Sequence, residues 1–409
     1  MDGDTMDLYY KITASVSRPG DRLRVKSPAR AIRRMHRSGI REVFDLASTI
    51  PGVIHLEMGE PSFETPAHIR RAAASAAEEG YTKYTPNAGI PELREAVVRK
   101  VRERNGIDAS VDQVVVTPGG VAALYGALLA LCDPGDEVLI SDPAWPNYRM
   151  IAALQHLRVR RFPLVPEHGM APRAELVEPA IGERTKVLVL NSPGNPTGQV
   201  TDVAALRELI DLATAYGLWV VSDEVYDELV FEGEVAPSAG AYDPRGRVVT
   251  VFSFSKTYAM TGWRVGYAVA PPEVASLLIK AQEPITACVN GPAQRAALAA
   301  LDGPQACVVA MRDAYRARRD EVVRRLDAVG VPHVEPRGAF YVWIDVSGSG
   351  LGGAEFAQRL LTELGVAVAP GSAFGAGGRD FVRISLAAAP GDLYEGVERL
   401  LRGIVEWGC

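Results

Sequence analysis

The chain has 409 residues, enough for two domains at roughly 100–200 residues each. Hydrophobic residues make up 47% and charged residues 23%, a globular balance that excludes a disordered or fibrous chain. Lys+Arg 44 against Asp+Glu 50 leaves a net charge of -6, which excludes the strongly basic footprint of a nucleic-acid-binding domain.

Taken from the N-terminus, Met1 to Asp21 carry no apolar signal segment, so a cytoplasmic protein is expected. Residues 1–28 read as an arm without a core of its own. Residues 29–41 space Ile32 and Met35 for one helix face, with the arginines read as its solvated side. Arg312–Arg325 are read in the same way, because Asp313, Asp320 and Glu321 interleave with them. The longest apolar stretch, Val121 to Cys132, is too short to span a bilayer, so no membrane association is expected. Cys132, Cys288, Cys307 and Cys409 show no CxxC spacing, and the six histidines form no ligand pattern. No metal site is expected.

Between about 60 and 270 a short β-branched run, a Gly/Pro/Asn loop and a helical stretch alternate. Strands are expected at Val114–Thr117, Glu137–Ser141, Lys186–Leu190, Trp219–Ser222, Val248–Phe252 and Arg264–Ala270. Helices such as Ala122–Leu131 and Val203–Tyr216 lie between them. Nearly continuous apolar strands alternating with helices define an α/β domain with a mostly parallel sheet. From about 295 the pattern changes to α+β: a long helix near 305–329, strands at Gly338–Asp345, Val366–Ala369 and Phe381–Leu386, and a final helix.

Ligands of open α/β sheets bind beyond the carboxyl ends of the strands, so the residues there are the candidates. Pro118-Gly119-Gly120 leads into the helix beginning at Val121; it is either a plain tight turn or an anion cradle. That turn lacks both the Walker Lys-Ser/Thr and a GxGxxG. Asn191-Ser-Pro-Gly-Asn195-Pro-Thr-Gly198 follows the third strand, and Asp223-Glu-Val-Tyr226 the fourth; Asp223 is a cation partner or a helix cap. The sharpest signal is Ser253-Phe-Ser255-Lys256 with Thr257-Tyr-Ala-Met-Thr-Gly-Trp-Arg264. A lysine in an apolar, aromatic setting has a depressed pKa and is a usable amine nucleophile. A phosphate cradle, an acid, a phenol, an amide and such a lysine are together what pyridoxal 5′-phosphate requires.

The order Asn195…Asp223-Tyr226…Ser253-x-x-Lys256…Arg264…Arg383 resembles the fold-type-I class I aminotransferases, especially the bacterial aspartate aminotransferase-like subgroup. Met58-Gly59-Glu60-Pro61 and Lys83-Tyr84-Thr-Pro-Asn-Ala-Gly-Ile-Pro-Glu-Leu-Arg match as well, and the resemblance covers nearly all of residues 26–405. It implies a large domain with a mostly parallel seven-stranded sheet over 61–294, and a small α+β domain from 29–60 and 295–409. It implies that Lys256 carries the pyridoxal phosphate and moves the Cα proton, that Asp223 pairs with the pyridine nitrogen, and that Tyr226 and Asn195 bond the ring's phenolate oxygen. Trp145 would stack on the ring. Gly119, Gly120, Val121, Ser253, Ser255 and Arg264 would hold the phosphate, with Tyr84 reaching it from the other subunit of a homodimer with shared active sites. Arg383 and Gly59 would hold the substrate α-carboxylate, beside Trp145 and Asn195.

The implied reaction moves an amino group from an α-amino acid to a 2-oxo acid such as 2-oxoglutarate by a ping-pong mechanism. Aspartate-specific relatives place a lysine directly after the two glycines, where this chain has Val121, and Pro284–Asn290 contains no basic residue. Val121, Tyr125, Phe63 and Ile285 point to a neutral or aromatic donor, with no dedicated partner for the acceptor's second carboxylate. Other pyridoxal phosphate reactions on the same scaffold are the alternative: a β-eliminating lyase, or an amino-acid oxidase or decarboxylase. A regulator built on this fold needs an N-terminal DNA-binding domain, for which residues 1–28 are too short. Tyr9 and Tyr10 of the arm are candidates to cover the site.

Overall fold

A computed structural model describes residues 27–408 except Arg30, Ala31, Arg34 and His36. The arm with Tyr9 and Tyr10, four residues of the helix expected at 29–41, and Cys409 lie outside the described residues. The first helix of the body, α1, is Gly39–Ala47, later than expected.

The main sheet contains β2 (Val114–Thr117), β3 (Glu137–Asp142), β4 (Arg158–Pro163), β5 (Thr185–Asn191), β6 (Trp219–Asp223), β7 (Val248–Ser253) and β8 (Gly266–Val269), numbered after the short β1 (Ile54–His55). Its order is β2-β8-β7-β6-β5-β3-β4, and β8 alone runs antiparallel to its neighbours. The strands are buried on both faces: Val187 and Val189 enter one apolar cluster while Leu188 and Leu190 enter another. Absence of polar alternation in these strands therefore follows from helices covering both sides. The strand missing from the sequence reading is β4, whose Arg-Val-Arg-Arg-Phe-Pro carries three arginines at the sheet edge. Charged edge strands resist pairing with other chains, and that same charge hides them from a search for apolar runs.

The second sheet is antiparallel, in the order β12 (Ala369–Pro370), β13 (Phe381–Ser385), β10 (Tyr341–Asp345) and β9 (His333–Val334). The run expected as one strand at Val366–Ala369 divides: β11 (Val366–Ala367) pairs with β1, and β12 crosses to β13. The long helix Ala306–Val329 buries Arg318, contrary to the solvated face expected there. Arg318 donates to Ser62 Oγ and to the carbonyl of Leu386, with its guanidinium over Phe63 and Tyr315. Among the described residues no helix is long and apolar enough to cross a membrane.

Six of the seven strands of the main sheet are mutually parallel, so the ends of β2, β3, β5, β6 and β7 gather on one edge. There Gly266 pairs with both Thr117 and Ser253. A Cβ on Gly266 would lie 2.8 Å from the Gly120 nitrogen and 2.8 Å from the Phe252 carbonyl oxygen, both backbone atoms. Gly266→Ala is expected to destabilise the protein by about 1–3 kcal/mol through overpacking, read as a lower urea midpoint at unchanged m.

Candidate active site

The gathered strand ends open into a cavity of about 400 Å³ lined by Gly59, Gly120, Val121, Trp145, Tyr148, Asn195, Asp223, Tyr226, Ser253, Ser255, Lys256, Arg264, Tyr341 and Arg383, among others. The structure thus brings into one space most of the residues singled out in the sequence. Two are not in its wall. Gly119 lies just behind, where a Cβ would be 2.4 Å from Arg264 Nη2, and Tyr84 is 90% exposed, outside the cavity of its own chain. Of the apolar residues expected around the substrate side chain, only Val121 lines this cavity. Tyr125 and Ile285 line a neighbouring groove, and Phe63 packs against Tyr315.

Lys256 stands on a one-turn helix, Phe254–Thr257, directly after β7, with Ser253 Oγ accepting from the Ser255 amide. Its Nζ donates to the Gly59 carbonyl at 2.5 Å. Burial pushes the ammonium down to about 8, Arg264 and Arg383 push in the same direction, and Glu60 opposes them. The Gly59 carbonyl thus accepts from the lysine, and the backbone donor left at Gly59 for an anion is its N–H. A side chain at Gly59 is impossible without displacement, since a Cβ there would lie 2.1 Å from Tyr341 Oη.

Asp223 ends β6 and is buried. Tyr148 donates to its Oδ2 at 2.6 Å, whereas Oδ1 is buried without a partner. Burial raises the carboxyl to about 6, against the lowering by the Tyr148 bond and the Val225 amide. An unpartnered buried carboxylate oxygen facing a cavity is a site for a cationic nitrogen donor, which would offset the desolvation. Tyr148 was not identified from sequence. It lies three residues after Trp145, one helical turn on, and the two rings meet edge to face at 5.6 Å.

Tyr226 Oη shares a hydrogen bond of 2.8 Å with Tyr341 Oη. Arg383, on β13, is 1% exposed; its Nη1 donates to Asn195 Oδ1 at 2.9 Å, and its Nη2 donates to the Glu57 carbonyl. Its guanidinium lies over the Tyr341 ring at 4.2 Å, while Nε is buried and unpartnered. Asn191 braces this side, accepting from the Asn195 amide at 2.8 Å and donating to the Asp223 carbonyl at 3.0 Å. At the other end, the helix Gly120–Leu131 points its N-terminus at the cavity beside Ser253, Ser255 and Arg264. Free amides of a helix start, two hydroxyls and a guanidinium form an anion site. The residues present therefore fit pyridoxal phosphate: an anion cradle, a depressed amine and a free carboxylate oxygen face one space.

Residues 51–400 match the family Aminotransferase class I and II, so the chain belongs to that family. It is 42% identical over 353 residues to the aspartate/prephenate aminotransferase of Thermus thermophilus, covering 86% of this chain and 90% of that one. It is 38% identical to aromatic-amino-acid aminotransferase 2 of Thermococcus litoralis, covering 90% and 96%. The solved structure of aspartate aminotransferase from Thermus thermophilus with maleate superposes with a TM-score of 0.89 at 39% identity, covering 93% of this chain and all of that one. The protein is accordingly an aminotransferase with the α/β fold of the fold-type-I group, whose members depend in general on pyridoxal phosphate.

Two outcomes follow from the geometry. Tyr148→Phe removes a bond that stabilises the carboxylate, so in the cofactor-free protein Asp223 should titrate above its present value of about 6, followed by carboxyl infrared or NMR signals. Lys256 should be reductively methylated by formaldehyde with a pH midpoint of about 8, read peptide by peptide, while exposed lysines keep midpoints about two units higher.

Proposed function

We propose that the chain binds pyridoxal 5′-phosphate in this cavity and transfers amino groups from a neutral or aromatic α-amino acid to a 2-oxo acid such as 2-oxoglutarate. The observation that carries the reading is the convergence of Lys256, Asp223 and Arg383 on one cavity, each buried or half-buried and each with a distinct environment. The cofactor, when bound, supplies a carbonyl for the amine and a ring that accepts electrons from the substrate Cα.

The protein groups divide the remaining work. Lys256, its ammonium lowered by burial to about 8, becomes a neutral amine at far lower pH than an exposed lysine, to hold the cofactor and then to carry the Cα proton. Asp223, with Oδ2 bonded by Tyr148, offers Oδ1 to keep the ring nitrogen protonated. Tyr226 and Asn195 would hold the ring oxygen, and Trp145 would supply an aromatic face for the ring. Gly120, Val121, Ser253, Ser255 and Arg264 take the phosphate, Gly119 shaping the turn. Arg383 clamps the α-carboxylate in a paired hydrogen bond, alongside the Gly59 amide.

Since one arginine at the buried end must receive donor and acceptor alike, the two bind in turn, which is a ping-pong scheme. In the same reading residues 61–294 form the cofactor domain, and 29–60 with 295–409 form the smaller one. The exposed Tyr84 serves the phosphate of a second copy in a cytoplasmic homodimer, and Val121 in place of a lysine favours donors without a distal charge.

The test is a half-reaction screen of amino acids against the cofactor-loaded protein, followed by 2-oxoglutarate. Keto acid and glutamate should both form, and Lys256→Ala should lose the pH-dependent absorption of the lysine-linked cofactor along with turnover. Pyruvate and ammonia from serine or cysteine without an acceptor would replace transamination by elimination. An unchanged spectrum in Lys256→Ala would remove the assignment of the lysine.

A further inference from the structure

The cavity runs from a mouth at the exposed Arg41 and Val121 to a closed end at the buried Arg383. Tyr341, buried as well, lies beside Arg383, and the register of the second sheet puts it there. Tyr341 pairs with Ser385 and Trp343 with Arg383, so Tyr341 and Arg383 are diagonal neighbours on one face. The guanidinium accordingly lies over the Tyr341 ring, while the hydroxyl ends against Tyr226 and Gly59. One side chain thus meets the arginine, the tyrosine and the glycine whose carbonyl holds Lys256.

The two phenols stand 2.8 Å apart, and among the described residues each hydroxyl has the other as its hydrogen-bond partner. Each hydroxyl carries one hydrogen, and a contact of this length needs one between the oxygens. In the protein alone either phenol can supply it. Once Tyr226 gives its hydrogen to the ring oxygen of the cofactor, the bond survives only if Tyr341 supplies the other. Without that hydrogen two buried oxygens would face each other, one of them an unsatisfied acceptor. Burial raises the pKa of the Tyr341 phenol; the Arg383 charge over its ring works against that rise and strengthens it as a donor. Hydrogen bonds in such a chain polarise one another, so donation to the Tyr226 oxygen makes Tyr226 the stronger donor in turn.

We infer that Tyr341 is a positioning residue for the cofactor: its hydroxyl donates to Tyr226, and through Tyr226 it stabilises negative charge on the ring oxygen. The inference rests on the proposed reading for the cofactor in this cavity and for Tyr226 at its ring oxygen. Asp223 and Arg383 act on both phenols, with Lys256 in the same cavity, and removing the Tyr341 hydroxyl replaces none of these groups.

The experiment reads the pH midpoint of the lysine-linked cofactor's absorption, with no substrate present. Tyr341→Phe keeps a ring under Arg383 and removes only the hydroxyl. A weaker bond to the ring oxygen leaves more negative charge there to retain the neighbouring proton. The midpoint should therefore rise by about half a pH unit, as for one neutral hydrogen bond acting through another. Tyr226→Phe should raise it further, and Tyr341→Phe added to Tyr226→Phe should change nothing more. Replacing the Tyr341 phenol by the more acidic 3-fluorotyrosine, which keeps the bond, should move the midpoint down. An unchanged midpoint in Tyr341→Phe, or an equal rise with and without Tyr226, would overturn the inference. A rise in Tyr226→Phe alone ends the relay and leaves Tyr226 at the ring oxygen. Absence of lysine-linked absorption in the unsubstituted protein removes the cofactor reading, and the relay with it.

Discussion

Burying the Asp223 carboxylate costs several kcal/mol unless its oxygens are satisfied, and the protein satisfies only one of them. Much of the architecture around the cavity follows from holding that half-bonded acid in place. The end of β6 is pinned on one side by Asn191 and on the other by β7, in register Asn191–Asp223–Val251. Tyr148 fixes the carboxyl rotamer from the helix beyond β3. The chain after Asp223 is anchored from below: Glu224 accepts from the Ala239 amide and from Ser222, and Asp227 meets Lys100 and Asn105. Tyr226, between those two anchors, has little freedom left, and its hydroxyl is set against Tyr341 from the second sheet.

The same economy explains the glycines. Gly59, Gly119 and Gly266 are not interchangeable flexible points. A Cβ on Gly59 would meet the Tyr341 hydroxyl, one on Gly119 the Arg264 guanidinium, and one on Gly266 the backbone at Gly120. Gly119 also has φ +85, so two constraints coincide there. Each glycine brings a polar group closer than any side chain would permit.

What was legible in the sequence divides along physical lines. Doubly buried strands announced themselves as apolar runs, and the strand ends then located Asn195, Asp223, Ser253 and Lys256 without any side-chain geometry. β4 was hidden because an edge strand can carry Arg158, Arg160 and Arg161. Tyr148 and Tyr341 were hidden because an aromatic residue within a helix or strand reads as core; only the hydroxyl's partner reveals its work. Arg318 was misread as solvated because interleaved acids say nothing about the aromatic slot that receives it. Of the residues grouped with Val121 by character, Tyr125 and Ile285 share with it a groove beside the cavity, whereas Phe63 packs against Tyr315.

Charge explains why the mouth of the cavity escaped a residue-by-residue reading while the floor did not. At the floor, Lys256, Asp223 and Arg383 are desolvated, their pKa values are displaced by burial, and each stands in a segment whose apolar neighbours make a charged residue conspicuous. At the mouth, Arg41 is solvated and stands among Arg37, Glu42 and Asp45, where one more charge in a helix carries no signal. A buried arginine such as Arg383, bonded to Asn195 and to the Glu57 carbonyl, is held in one orientation. The exposed Arg41, 3.9 Å from Asp45, is less restrained.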